Sequence, residues 1–475
     1  MQQDRIQGEL LKLGHRVGVS TIRRILKRAL LIHELVGPRR GPGLSSVSEA
    51  TKPVVADLAS RHGLVCSMKA VPKSRGRRRL PQRRRASRHG VKGRQRALQP
   101  PSASGQSAFD HPDFLSLLDR ARKLESASTP RKHHLVPESY LRRWASNGQI
   151  RVTEVDARRA YLTSPTRAAK ITDYYRVESE DIDPELVPPL LFEVFLGEME
   201  RIGKSGIDAL LDGSVVNLDE EMRSSLSRFI ALQHTRGQSY RDQLRKSAND
   251  IFRLQYGGMT DEGIKMLLRR QGRDVTAEAV NELRRDVDEI NDGTLFVSPQ
   301  DAAVVGQAIS SAERLAPFLY ARNWLVYRTP PVLLTCDEPV VLIGGPGSPR
   351  AERPGAAVAG VVIFPLAPDA VLAMFRPDQF PLGGHELNHL ETAELNLEIL
   401  AHATRWAFEH PSRNTANRLK VPPAPEATAI ERFAAKTPPR RRRHEEIIRS
   451  YRPNRWINAE QMPAWPVARW WTGLR

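Results

Sequence analysis

The chain has little cysteine: two residues in 475, Cys66 and Cys336, far apart in sequence. Two thiols in separate regions build neither a disulfide framework nor a cysteine-rich zinc site, and they fit a reducing compartment. Long apolar runs are missing as well. No stretch of about 18 consecutive apolar residues occurs, and the chain does not open on a basic-then-apolar segment. No membrane span and no secretory leader are expected, and the expected location is cytoplasmic. No Gly-x-Ser-x-Gly elbow marks a serine nucleophile. The run Gly344-Gly345-Pro346-Gly347 lacks the Lys-Ser/Thr pair of a phosphate loop. Between Lys69 and Arg96 there is no acidic residue, against 13 basic ones.

What is present is an uneven charge. The formal net charge is +19, yet residues 1–130 hold 27 Lys and Arg against 9 Asp and Glu, while residues 131–435 hold 36 against 42. From Lys436 onward, 10 basic residues face 3 acidic ones. Nucleic-acid affinity is therefore expected from the basic leader and tail, not from the mildly acidic body.

Four regions follow. Residues 1–36 include a stretch, Arg5–Arg28, that reads as two short helices with Gly14 and Gly18 in the turn and Ser20 as N-cap. This stretch resembles the helix-turn-helix of integrase-type transposases. It is either a transposon remnant fused upstream or a working DNA-binding module. Residues 37–110 are rich in Arg, Pro, Ser and Gly, cannot bury an apolar core, and are expected to be disordered. Residues 111–435 form the body, and 436–475 a basic, aromatic tail expected to be loose or peripheral.

The expected fold class is α+β: a predominantly helical block with an N-terminal β-hairpin and a small antiparallel sheet, after a largely disordered basic leader. The hairpin is read from alternation over Ile150 to Leu162, just after Asn147-Gly148. Helices are expected from Pro188-Pro189 to Leu211, from Leu218-Asp219 to Ala248, near Asp261–Arg270, near Ala277–Ile290 and over Asp301–Phe318. Short Val- and Ile-rich runs between Trp324 and Phe375 predict the sheet, and a last helix is expected from Glu386 to Phe408.

Several motifs come in a fixed order. The run Lys132-His133-His134-Leu135-Val136-Pro137-Glu138-Ser139-Tyr140-Leu141-Arg142-Arg143-Trp144 opens the body. Asp173-Tyr174-Tyr175, a helix bearing Glu200, the helix Phe229–Arg236, the run Thr335-Cys336-Asp337-Glu338-Pro339-Val340-Val341 and an Asn396-bearing helix follow. In this order they resemble the bacterial family known as domain of unknown function 4238, over about residues 131–411. The resemblance implies no reaction.

The candidate site residues are His134, Glu200, Gln233, Arg236, Asp337 and Asn396. Gln233 falls at the centre and Arg236 at the edge of a stripe formed by Met222, Leu226, Phe229, Ile230, Tyr240 and Leu244, Asn396 lies on a similar face between Ala393, Leu400, Ala403 and Ala407, and Glu200 borders the stripe of Phe192, Leu196, Met199 and Ile207. A buried amide or charge costs about 1–3 kcal/mol or more unless paired, so each needs a partner. One reading is a metal-assisted hydrolase or nuclease, with His134, Glu200 and Asp337 as metal ligands or acid/base groups and Gln233, Arg236 and Asn396 orienting an anionic substrate; a divalent metal is the cofactor such residues admit. The alternatives are a non-catalytic accessory or interaction protein whose polar residues form a structural network, and a DNA-binding fusion acting through the N-terminus. If the six residues share one hollow, neighbouring carboxylates are expected to raise the pKa of His134.

Overall fold

The computed structural model describes residues 66–70, 114–127, 132–176, 188–425 apart from 214, 216, 217, 271, 300 and 382, then 429–434 and 446–472. The helix-turn-helix-like stretch and all of the linker except Cys66–Ala70 lie outside the described residues, as does the basic run Lys436–His444. In chain order the strands are β1 (Cys66–Ala70), β2 (Lys132–His134), β3 (Ile150–Glu154), β4 (Arg159–Thr163), β5 (Lys170–Thr172), β6 (Leu295–Pro299), β7 (Asn323–Arg328), β8 (Thr335–Cys336), β9 (Val341–Ile343), β10 (Val361–Ala367), β11 (Ala370–Phe375), β12 (Trp406–Glu409), β13 (Ala429–Ala434) and β14 (Glu446–Tyr451). The helices are α1 (Phe114–Ala127), α2 (Glu138–Leu141), α3 (Leu191–Asp212), α4 (Glu220–Thr235), α5 (Gln238–Tyr256), α6 (Asp261–Arg270), α7 (Ala277–Asp292), α8 (Asp301–Tyr320), α9 (His389–His402) and α10 (Thr415–Arg418).

The chain divides into two compact units, residues 1–104 with 247–300 and residues 105–246 with 301–475. In the first, β1 pairs antiparallel with β6, so one short part of the stretch expected to be disordered is a strand. Helices α6 and α7 meet through Ile264, Leu268, Val280, Leu283 and Val287. The Thr276 hydroxyl caps α7 by accepting the Ala279 amide.

The second unit is built on two four-stranded antiparallel sheets, β7-β11-β10-β9 and β4-β3-β12-β8. The run Val361–Ala367 is apolar without alternation because it is buried on both faces. Val362, Phe364 and Leu366 pack into a core with α3, α4 and α8, while Val361 and Ile363 pack into a second core with α9 and Trp470. The hairpin β3–β4 forms where alternation predicts it, and Asn147 and Gly148 both take positive φ in the turn ahead of it. The α+β class holds.

Three expectations are corrected. The helix predicted from Asp219 to Ala248 is two helices, α4 and α5, separated at Gly237. The break is made from a distance: Glu338 accepts the Ser239 amide at 2.6 Å and so caps α5. The last helix ends at His402, not Phe408, because the Asp337 carboxylate takes the amides of Thr404, Arg405 and Trp406 and sends the chain into β12. The aromatic end is not loose: Trp470 is buried against Tyr327 and Phe375, at centroid distances of 5.3 Å to each. Among the described residues no helix is long and apolar enough to cross a membrane.

Candidate functional site

The opening motif is first of all a clamp. Tyr140 donates its hydroxyl hydrogen to the Pro365 carbonyl at 2.8 Å and lies 2.7 Å from the Thr335 hydroxyl, and Trp144 donates to the Leu333 carbonyl at 2.8 Å. These bonds pin the segment to the sheet and fix β2. His133 is fully buried there, stacks on Tyr175 and accepts the Tyr175 amide on Nδ1 at 2.8 Å. His134, on the opposite side of the strand as the period of two requires, is half-buried. Its Nε2 donates to the Thr166 carbonyl at 3.1 Å, which leaves Nδ1 with the lone pair.

Helices α3 and α4 supply the rest. Gly203 permits their close approach, since a Cβ there would lie 2.5 Å from the Phe229 ring. Asp219 starts α4 by accepting the Met222 amide, which sets the phase that places Gln233 and Arg236, one turn apart, on a buried face. On α3, Glu193 and Glu200 lie two turns apart on one face. Arg236 Nη1 donates to Glu200 at 3.0 Å.

The rest of that pair is unfinished. Arg236 is 1% exposed and Gln233 2% exposed, yet Arg236 Nε and Nη2 and both polar atoms of the Gln233 amide have no hydrogen-bond partner among the described residues. The Tyr175 hydroxyl is in the same condition. Native proteins leave few such atoms, because each costs about 1–3 kcal/mol of lost solvation. Tyr175, Glu193 and Glu200 all act electrostatically on Arg236, as Arg236 does on His134, so these residues share one neighbourhood. Arg241 closes it: its guanidinium lies 4.0 Å above the Tyr174 ring and donates to the Tyr174 carbonyl at 2.6 Å.

The site's protonation follows from burial. Glu193 is pushed up to about 7, first by burial and then by Glu200. Burial opposes the charge on Arg236, but Tyr175, Glu200 and Glu193 outweigh it and hold the guanidinium above its usual range. His134 moves down, to about 4, under burial and the Lys170 ammonium, with Glu138 too weak to offset them. The expected rise of its pKa is thus reversed: the charge paired opposite it in the strand register is Lys170, not a carboxylate.

Asp337 and Asn396 have their needs met by backbone. Asp337 accepts the amides of Thr404, Arg405 and Trp406 at 2.7–3.1 Å, and it is raised to about 7 by burial and then by Glu338, against the pull of those amides. Asn396 accepts the Leu334 amide at 2.8 Å and donates to the Val332 carbonyl at 2.9 Å, tying α9 to the segment before β8. So Glu200 and Arg236 are bonded to each other, Gln233 stands one turn from Arg236, His134 feels the Arg236 charge, and Asp337 and Asn396 hold the chain. Among the described residues no group of three or more His, Cys, Asp or Glu side chains is arranged to hold a metal ion. Glu193, which sequence reasoning missed, carried a signal in its spacing of seven from Glu200.

No curated protein and no solved structure matches this chain. A family model described as a protein of unknown function, DUF4238, matches residues 132–413, a span that begins at β2 and contains every candidate residue of the site. The chain, over that span and more than half of its length, belongs to the DUF4238 family.

Proposed function

We propose that the body binds a small carboxylate-bearing ligand at Arg236 and acts on it by acid–base chemistry. The observation that carries this reading is the free edge of the Arg236 guanidinium. Nη1 is held by Glu200, while Nε and Nη2, the two donors of one edge, are buried without partners among the described residues. That edge matches the two oxygens of a carboxylate in a bidentate pair. One guanidinium facing Glu200 and Glu193 suits a monoanion better than a dianion. The Gln233 amide offers a donor and an acceptor beside it, which fits a hydroxyl or amine next to the carboxylate.

Glu193, with a pKa near the operating range, is the proton donor of this reading, and neutral His134 a proton acceptor through Nδ1. The reaction class is hydrolysis or a related proton-assisted step. A metal held by His134, Glu200 and Asp337 fits less well, because Asp337 is occupied by three amides and Glu200 by Arg236. The non-catalytic reading is favoured only for Asp337 and Asn396, whose bonds are all to backbone.

The test is a panel of small hydroxy- and amino-monocarboxylates, including lactate and glycolate, read by thermal shift on the full chain and on Arg236→Lys. Lysine keeps the charge and loses the fork, so the reading predicts a stabilising ligand whose affinity falls at least tenfold in the variant, or about 1.4 kcal/mol. Equal responses in both proteins would defeat it.

A further inference from the structure

The junction of α4 and α5 has a second polar side, centred on Glu338, that the carboxylate reading does not use. The Glu338 carboxylate accepts the Ser239 amide at 2.6 Å and the Thr404 hydroxyl at 2.8 Å, pairs with the Ser239 hydroxyl, and lies 3.5 Å from Arg353. Arg353 touches it, and three more basic side chains share its surroundings. Arg353 Nη1 also reaches the Ser239 hydroxyl at 3.3 Å. The Arg353 amide donates to the Arg452 carbonyl at 2.7 Å, which joins the two backbones, and the Arg452 guanidinium feels the charges of Arg353 and Glu338. His234, in the last turn of α4, places its ring 6.2 Å from that of Tyr240, the neighbour of Ser239. His402 ends α9 two residues before Thr404 and bonds the Val340 carbonyl.

The charges do not balance. Among the described residues Glu338 is the carboxylate set against this group, and its oxygens already accept Ser239 and Thr404. Two half-buried guanidiniums set in the field of one carboxylate are short of counter-charge and invite an anion from outside. The imidazoles respond to the same field. His234 is pulled down to about 3 and His402 well below its usual range, each by burial first and then by arginine charge, so both are neutral at pH 7 and free to take a proton when a negative charge arrives.

We propose that His234, His402, Arg353 and Arg452 form a binding site for a phosphate group. Two guanidiniums against one carboxylate, with two imidazoles beside them, suit a dianion with tetrahedral oxygens, whereas the single fork at Arg236 suits a planar monoanion. This inference does not depend on the reading of Arg236.

The experiment titrates inorganic phosphate into the full chain at constant ionic strength, with chloride in the reference. It follows the melting temperature and the histidine side-chain resonances by NMR. Phosphate should raise the melting temperature in proportion to the logarithm of its concentration above its dissociation constant. It should also move the titration of His234 and His402 to higher pH. Arg452→Gln should weaken phosphate at least tenfold and leave the response to lactate unchanged. If that variant does not fold, His234→Gln serves, keeping hydrogen-bonding capacity but losing the proton. Phenyl phosphate separates the sources: tighter binding than inorganic phosphate assigns an ester, weaker binding the free ion, and either supports the site. No stabilisation beyond chloride, unmoved histidine titrations, or a phosphate response lost in Arg236→Lys and kept in Arg452→Gln would overturn the proposal.

Discussion

Arg236 and Glu200 form a half-finished pair: one guanidinium nitrogen rests 3.0 Å from the carboxylate, and the other two are buried without partners among the described residues. The arrangement binds α4 to α3 while leaving one edge of the cation unpaired among the described residues. Glu200→Gln keeps an acceptor for Nη1 but removes the counter-charge. The variant should lose about 1–3 kcal/mol of stability, measured by urea unfolding, because a buried guanidinium is left under-compensated. An unchanged midpoint would show that the pair does not hold the helices.

Glu193 provides a pH test. Its folded pKa lies near 7, above its unfolded value, so its contribution to stability is present at low pH and is lost as pH rises through about 7. Because Glu200 is the second cause of the shift, Glu200→Gln should lower the Glu193 pKa in carboxyl-carbon NMR. A rise, or no movement, would break the electrostatic link between the two turns of α3.

His134 runs the other way. Its folded pKa of about 4 lies below the unfolded value of 6.5, so the stability it contributes is full above 6.5 and is lost as pH falls toward 4. The wild-type melting temperature should therefore fall more steeply than that of His134→Gln between pH 6.5 and 4. Parallel curves would mean that His134 is solvated like a free imidazole.

Gly203 tests the packing that sets the two helices. Gly203→Ala would place its methyl group against the Phe229 ring, and overpacking of this kind costs about 1–3 kcal/mol. Calorimetry on the variant should show the loss, and Gly197→Ala, at an exposed position with open space, should not.

Much of the architecture was legible because it is local. The β3–β4 hairpin follows from alternation, and the strands β10 and β11 from short Val- and Ile-rich apolar runs bounded by Pro and Gly. The helix boundaries that failed were set by residues far away in sequence. Glu338 stops α4 from running into α5 across 99 positions, and Asp337 draws Thr404–Trp406 out of a helical pattern that no local breaker ends. The same distance hid their roles: in sequence, Asp337 before Glu338 and Pro339 reads as a turn or a ligand, and in the fold both carboxylates cap backbone elsewhere. Gln233 and Arg236 were visible as polar residues on an apolar stripe, even though the stripe was drawn across a helix break. Glu193 carried only its spacing of seven from Glu200, and the burial that perturbs it first does not show in that spacing.

The central claim is that the free edge of Arg236 receives a carboxylate, and the most direct measurement is the nitrogen–proton NMR signal of the Arg236 Nε group during a lactate titration of the full chain. A bidentate pair should shift that proton strongly downfield and slow its exchange with water, saturating at the same concentration that stabilises the protein, while the Arg241 signal stays nearly still. An Arg236 signal that does not move under saturating stabilisation, or that moves no more than that of Arg241, would contradict the account.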